Sequence, residues 1–289
     1  MDCSTSEGRE GRVGGEREVV VYVGSLLAVG LASGFASGLF GVGGGILRIP
    51  IFLYLFPLFG IAQAVTMHLA AGTSLAIAIP SSAIACIAQY RAGKLDLGFL
   101  RIWLPALAAG VLVGLAVARI APGHVLVAVF AVIVALAGLQ MLLASERFQI
   151  RSEPPSGPAR AAIAATIGAI SAVMGVTGGT LVTPTLSALG YPIHRAIAVS
   201  SAGGVVVSVV GMVGFIVTGL DVAQRPAYSL GYVDLLAVLV VTPAAMAMAP
   251  LGVRLANRLD KRVLKRVFGA FMLVVAADMA YDVIRAAMR

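Results

Sequence analysis

Gly34-Phe-Ala-Ser-Gly-Leu-Phe-Gly-Val-Gly-Gly-Gly45, followed by Pro50, returns later in the chain as Gly168-Ala-Ile-Ser-Ala-Val-Met-Gly-Val-Thr-Gly-Gly179, followed by Pro184. Gly34, Ser37, Gly41, Gly44, Gly45 and Pro50 each recur 134 positions on, as Gly168, Ser171, Gly175, Gly178, Gly179 and Pro184. The chain states one plan twice. Each copy sets a run of glycines inside apolar sequence, where the backbone must leave the helix. Non-helical backbone at membrane depth is tolerated only where protein buries it or where it lines a cavity. Paired Gly-interrupted segments in corresponding halves therefore point to the binding site of a transporter.

Composition sets the same solvent. Of the 289 residues 60% are apolar and 12% charged, and the mean hydropathy is +0.99, which describes an integral membrane protein. Seven stretches reach the roughly 20 apolar residues that cross a hydrocarbon core: Val19–Phe40, Val65–Gln89, Phe99–Val117, Val125–Ala144, Ala196–Thr218, Leu235–Val253 and Val267–Ala287. Residues 1–18, rich in Glu, Arg and Gly, are too polar for a core and read as a disordered tail. Cys3 and Cys86 are too few and too differently placed for a structural disulfide or a metal site. The net charge of +8 reflects basic loops, densest at Arg254, Arg258, Lys261, Arg262, Lys265 and Arg266, and the retention of such loops in the cytoplasm explains it better than nucleic acid does.

In register, the halves give five apolar elements each. The first half (19–145) holds Val19–Phe40, the short Gly45–Phe56, Gln63–Gln89, Phe99–Val117 and Val125–Ala144. The second (159–289) holds Ala159–Gly175, the short Thr180–Leu189, Ala196–Thr218, Leu235–Val253 and Val263–Ala287. Asp96, Pro105 and Gly114 match Asp234, Pro243 and Gly252 at a constant offset of 138, and Gly114 reads as a packing glycine. Between the halves, residues 146–158 carry Pro154, Pro155 and Pro158, a linker that cannot continue a helix. The expected fold is all-α and polytopic, with two five-element repeats, each containing a Gly-broken short helix.

An odd number of crossings per half would invert the second half, and loop charges agree. Arg91, Lys94 and Arg101 flank the third loop of the first half, against Arg225 alone in the second. The next loop reverses the bias, with Arg119 against the six-residue basic cluster. Charge that changes sides between repeats fits inverted topology under the positive-inside rule. The linker and both basic loops then lie in the cytoplasm and both termini outside. Were the two short elements re-entrant, the repeats would instead be parallel.

The glycine runs, together with Gly72-Thr-Ser-Leu75, Tyr90-Arg-Ala-Gly-Lys-Leu-Asp96 and Ala249-Pro-Leu-Gly-Val-Arg-Leu-Ala256, resemble the sulfite exporter TauE/SafE family of membrane permeases over nearly the whole chain after residue 18. The resemblance implies a secondary permease of the cell (inner) membrane for a small sulfur-containing or organic anion such as sulfite, sulfoacetate or a related sulfonate. Two departures mark this chain: Arg48 stands where the family usually has an apolar residue, and Ser200-Ser201 stand where the second half more often has Thr-Ser.

The residues' own chemistry also suits an anion. A helix that restarts after glycines presents unpaired N–H groups and the positive end of its dipole. Those restarts fall at Gly43, Gly44 and Gly45 and at Thr177, Gly178, Gly179 and Thr180. Hydroxyls of Thr73, Ser74, Ser200 and Ser201 supply donors near the start of the third element of each half. Arg48, one turn past Gly45, would add a fixed charge, unless it snorkels to the interface. His68, which can titrate near neutral pH, is the candidate for coupling to a proton; a coupling cation is the other option. No cofactor or metal is expected, and the partners are the anion and the bilayer.

Two other classes compete. An anion channel could use the same helix ends. An intramembrane serine hydrolase would need a Ser37–His68 dyad, yet Ser171 repeats Ser37 while no histidine repeats His68, so an enzyme is not expected.

Overall fold

The computed structural model describes residues 7–40, 44–143, 157–222, 225–226, 228–256, 258–259 and 261–287. Among these the architecture is all-helical, with ten helices and one two-residue antiparallel bridge. They are α1 (Glu7–Phe40), α2 (Gly45–Leu58), α3 (Gln63–Arg91), α4 (Leu97–Ile120), α5 (Gly123–Leu143), α6 (Gly157–Met174), α7 (Gly179–Ala188), α8 (Ile193–Gly219), α9 (Leu235–Ala256) and α10 (Lys261–Ala287). Seven are long and apolar enough to cross a membrane: α1 through Val19–Phe40, then α3, α4, α5, α6, α8 and α9. The sequence spans agree on six of these; α6 takes the seventh place instead of the final helix. α1 starts at Glu7, inside the segment expected to be a disordered tail. Once the apolar run nucleates a helix, adding a residue costs little, and Glu and Arg are good helix formers. Of the expected linker, residues 146–158, all but the last two lie outside the described residues.

Small residues set which helices meet. On α1, Cβ atoms added at Gly30, Gly34 and Gly38 would fall within 2.7, 2.3 and 2.0 Å of Ala244, Ala245 and Ala249 of α9. On α4, Gly110 and Gly114 press on the carbonyls of Ala165 and Ala169 of α6, while Gly168 of α6 presses on Leu107. Lipid offers no hydrophobic drive between helices, so close backbone approach through small residues supplies the packing energy. Gly34 and Gly168, which open the repeated stretch, are therefore packing glycines. The remaining large contacts join α3 to α8, α5 to α10, α4 to α8, α7 to α8 and α2 to α3.

The spine of the molecule is α3, buried without a break from Val65 to Ala78 because α2, α5, α8 and α9 surround it. Between α8 and α9 lies a feature the sequence reading did not foresee, a hairpin pairing Ser229–Leu230 (β1) with Val233–Asp234 (β2). Gly231, at φ +57°, takes the first central position of its two-residue turn, where hairpins favour glycine. Gly72 of α3 and Gly219 of α8 make room for it, since a Cβ on either would lie 2.2 or 2.4 Å from Tyr232 backbone atoms. The matched Asp96 and Asp234 do one job: their carboxylates accept the N–H of Phe99 and of Ala237, capping α4 and α9. A phenol donates to each, Tyr191 to Asp96 and Tyr22 to Asp234.

Candidate functional site

The first break ends at Gly44, whose φ of +47° turns the chain into α2. Glycine occupies that left-handed conformation without strain. The first N–H to bond within the helix is that of Arg48, to Gly44 O at 3.0 Å. The N–H groups of Gly45, Ile46 and Leu47 are thus first-turn donors with no acceptor inside the helix. Gly45 faces α3, where an added Cβ would lie 3.3 Å from Ser74 Oγ, and it also faces the second break, 3.5 Å from Val176 Cα. That contact joins the two glycine segments.

Arg48 is 4% exposed and turns inward, not outward to an interface. One guanidinium nitrogen, Nη2, donates to Ser74 O across a long 3.4 Å, while Nε has no partner among the described residues. The Ser74 hydroxyl and, one turn before the second break, the Ser171 hydroxyl are likewise buried without a partner. An unpaired buried donor costs roughly 1–3 kcal/mol. Two of them, Arg48 Nε and the Ser74 hydroxyl, meet at the start of α2 and mark a place built for something else to bond. Ser171 was visible in the sequence as the repeat of Ser37, but its burial as a free hydroxyl was not.

In the second half Gly175 follows α6 at φ +64°, packed so closely on α3 that an added Cβ would lie 2.3 Å from Ala71 Cα. Gly178 opens α7 in ordinary right-handed geometry, φ −53°, so the two breaks are not conformational copies. Gly178 O accepts from both Leu181 and Val182. Gly179 lies beside Ser200, whose Oγ would be 3.6 Å from an added Cβ. Thr177 is buried.

The remaining expected residues divide. Thr73 is fully buried and accepts the N–H of Asp234 at 2.9 Å, which pins the hairpin to α3. Ser201 donates to Ala198 O on its own helix. Gly43 lies outside the described residues, and of Thr180 only the backbone is described. His68 stands apart, stacked on Tyr232 at 5.0 Å between ring centres, with Nε2 2.9 Å from Ala118 O. It forms no hydrogen bond to Ser37 among the described residues. With Tyr54, Arg119, His124 and Tyr232 it lines a cavity of about 510 Å3 where α3 and α5 begin.

Residues 26–279 match the family described as Sulfite exporter TauE/SafE. The chain belongs to that family. Relatives described as probable membrane transporter proteins span nearly its whole length. One from Haemophilus influenzae is 31% identical over 254 residues, 88% of this chain and 96% of its own. One from Methanocaldococcus jannaschii is 24% identical over 90% of this chain and 98% of its own, and YunE from Bacillus subtilis is 22% identical over 89% and 97%. No solved structure matches. The protein is thus an integral membrane protein of a transporter family, not of an enzyme family.

Proposed function

We propose that this TauE/SafE protein is a secondary permease that moves a small sulfur-containing or organic anion, such as sulfite or a sulfonate, through a central site at the two glycine-broken helix starts. The observation that carries the reading is Arg48. It is a permanent cation buried beside the open first turn of α2, with its Nε and the neighbouring Ser74 hydroxyl unpartnered among the described residues. A protein does not bury an unsatisfied charge in a membrane without return. An oxyanion seated there would accept from Arg48, Ser74 and the Gly45 N–H together, and Val176 brings Thr177, Gly178, Gly179, Thr180 and Ser200 of the second half to the same region. Gly44 keeps the backbone approachable. Thr73 and Ser201 support the walls. Positive charge and helix dipole favour an anion over a cation, and the hydroxyls can donate to it.

The helix pairing supports the inverted-repeat reading. α1 on α9 answers α6 on α4, α2 on α3 answers α7 on α8, and α3·α8 and α5·α10 are each an element packed on its own counterpart. A two-fold relation between the halves accounts for all of these at once, and the loop charges are what favour an axis in the membrane plane.

The test is a thermal-shift panel on purified protein with sulfite, thiosulfate, sulfonates, carboxylates and chloride. A ligand that binds the folded state raises stability by mass action. A shift with one of the oxyanions and none with chloride is expected; a panel without any anion-specific shift refutes the reading.

A further inference from the structure

The cavity beside His68 is built from different parts. Gln63 and Ala64 open α3 and Gly123 and His124 open α5, and these two starts touch, since a Cβ on Gly123 would lie 3.2 Å from Ala64 O. Both helices exceed 20 residues, so two sets of first-turn N–H donors and two positive dipole ends converge on one space. Arg119 adds a permanent charge there. Independently of the helix ends, His68 is 6% exposed and its Nδ1 has no partner among the described residues. Nε2 bonds a carbonyl, Ala118 O, so Nε2 carries the proton and neutral Nδ1 presents a lone pair. Protonation turns Nδ1 into a donor. The other titratable groups that face the space are His124, Tyr232, and Tyr54, whose hydroxyl donates to the Asp278 carboxylate. Leu53, Met67, Val127 and Met279 form an apolar wall. A volume of about 510 Å3 falls in the range of organic-ligand pockets and far exceeds what a bare oxyanion fills.

We propose that this cavity is a second anion site, for an organic anion whose carboxylate or sulfonate faces Arg119 and the two helix starts, whose apolar body lies along Met67 and Val127, and which binds together with a proton on His68. It is separate from the central site. Ser74 lies six residues further along α3, about 9 Å down its axis, and the contact of Gly175 with Ala71 stands between.

Calorimetric titration of the full chain in phosphatidylcholine nanodiscs tests this, with butyrate, hexanoate and sulfate as probes at pH 6 and pH 8. Hexanoate is expected to bind more tightly than butyrate and far more tightly than sulfate, and about tenfold more tightly at pH 6 than at pH 8. Arg119→Gln, at an exposed position, is expected to lose at least tenfold. His68→Gln abolishes the pH dependence while His124→Gln keeps it, and Val127→Trp, by filling the apolar end, reverses the order of butyrate and hexanoate. Arg48→Leu leaves hexanoate binding unchanged, which separates this site from the central one. Full affinity in Arg119→Gln, or loss in Arg48→Leu instead, overturns the proposal without touching the central-site reading. Hexanoate binding that vanishes when phosphatidylglycerol replaces part of the phosphatidylcholine would assign the cavity to a lipid headgroup and overturn it as well.

Discussion

Replacing Arg48 by leucine should move stability and affinity in opposite directions. In the free protein the guanidinium is buried with one long hydrogen bond to Ser74 O and an Nε that has no partner among the described residues, a cost of about 1–3 kcal/mol that leucine removes. The free variant should therefore melt no lower than the wild type. In the complex the same change deletes a charged donor, worth about 1.5–3 kcal/mol, which is roughly a 10- to 150-fold rise in Kd. At an anion concentration of 100 times the wild-type Kd, ligand stabilisation of about 2.7 kcal/mol should fall to about 1.4 kcal/mol at the mild end and about 0.3 kcal/mol at the severe end. The assay is thermal unfolding of detergent-purified wild type and Arg48→Leu with and without the best anion from the panel. Arg48→Lys should fall between, keeping charge but losing the planar fork that fits an oxyanion. Equal ligand shifts in wild type and Arg48→Leu would remove Arg48 from the site, and a free variant that melts well below wild type would show that the guanidinium is a structural group.

Gly175→Ala should destabilise by more than about 2 kcal/mol, because it combines φ +64° with a Cβ 2.3 Å from Ala71 Cα; Gly24→Ala, with nothing within 4 Å of the added Cβ, should leave the melting temperature unchanged or higher. Asp96→Ala should cost about 1 kcal/mol by uncapping α4. The Phe99 N–H, followed by the Tyr191 hydroxyl, holds the Asp96 carboxyl below its usual range, so this contribution is complete above about pH 4 and fades as pH falls through the lowered value. A difference between Asp96→Ala and wild type that persists undiminished at the lowest accessible pH would contradict that. Burial, with Asp96 alongside, pushes the Tyr191 phenol up to about 12, so the Tyr191 hydroxyl keeps donating throughout the physiological range. Cysteines placed beside Lys94 and Arg262 in a background lacking Cys3 and Cys86 should both react from the cytoplasmic face; labelling from opposite faces rules out the inverted arrangement.

Much of the fold was legible along the chain because membrane insertion is decided locally. About twenty apolar residues suffice to cross wherever they occur, and the two repeated glycine runs, unlike the single Gly114, interrupt the helix. Thus six of the seven spans, both short helices, and the pairing of Asp96 with Asp234 follow from the sequence, as does the family from its motifs. Glycine is ambiguous in one dimension, however. Gly34 and Gly44 belong to the same repeated stretch, yet Gly34 seats α9 while Gly44 opens α2, and only the neighbour across the gap tells them apart. Gly114 reads as a packing glycine and is one, but only the structure shows that even a methyl there would collide with Ala169. Thr73 and Ser74 are adjacent and chemically alike. They lie about 100° apart around α3, so the Thr73 hydroxyl meets the hairpin's Asp234 N–H, while the Ser74 hydroxyl turns toward Gly45. The hairpin itself, a short Tyr-Ser-Leu-Gly-Tyr-Val-Asp run, is too brief to declare strands until α3 and α8 offer glycines to receive it. The sequence by itself determined the solvent, the helices and the doubled glycine breaks, because those depend on residues near one another in the chain. Tertiary structure alone decided which polar groups were left unpaired at the breaks and where the His68 cavity opened, because a hydrogen bond is satisfied or orphaned by whatever distant helix packs against it.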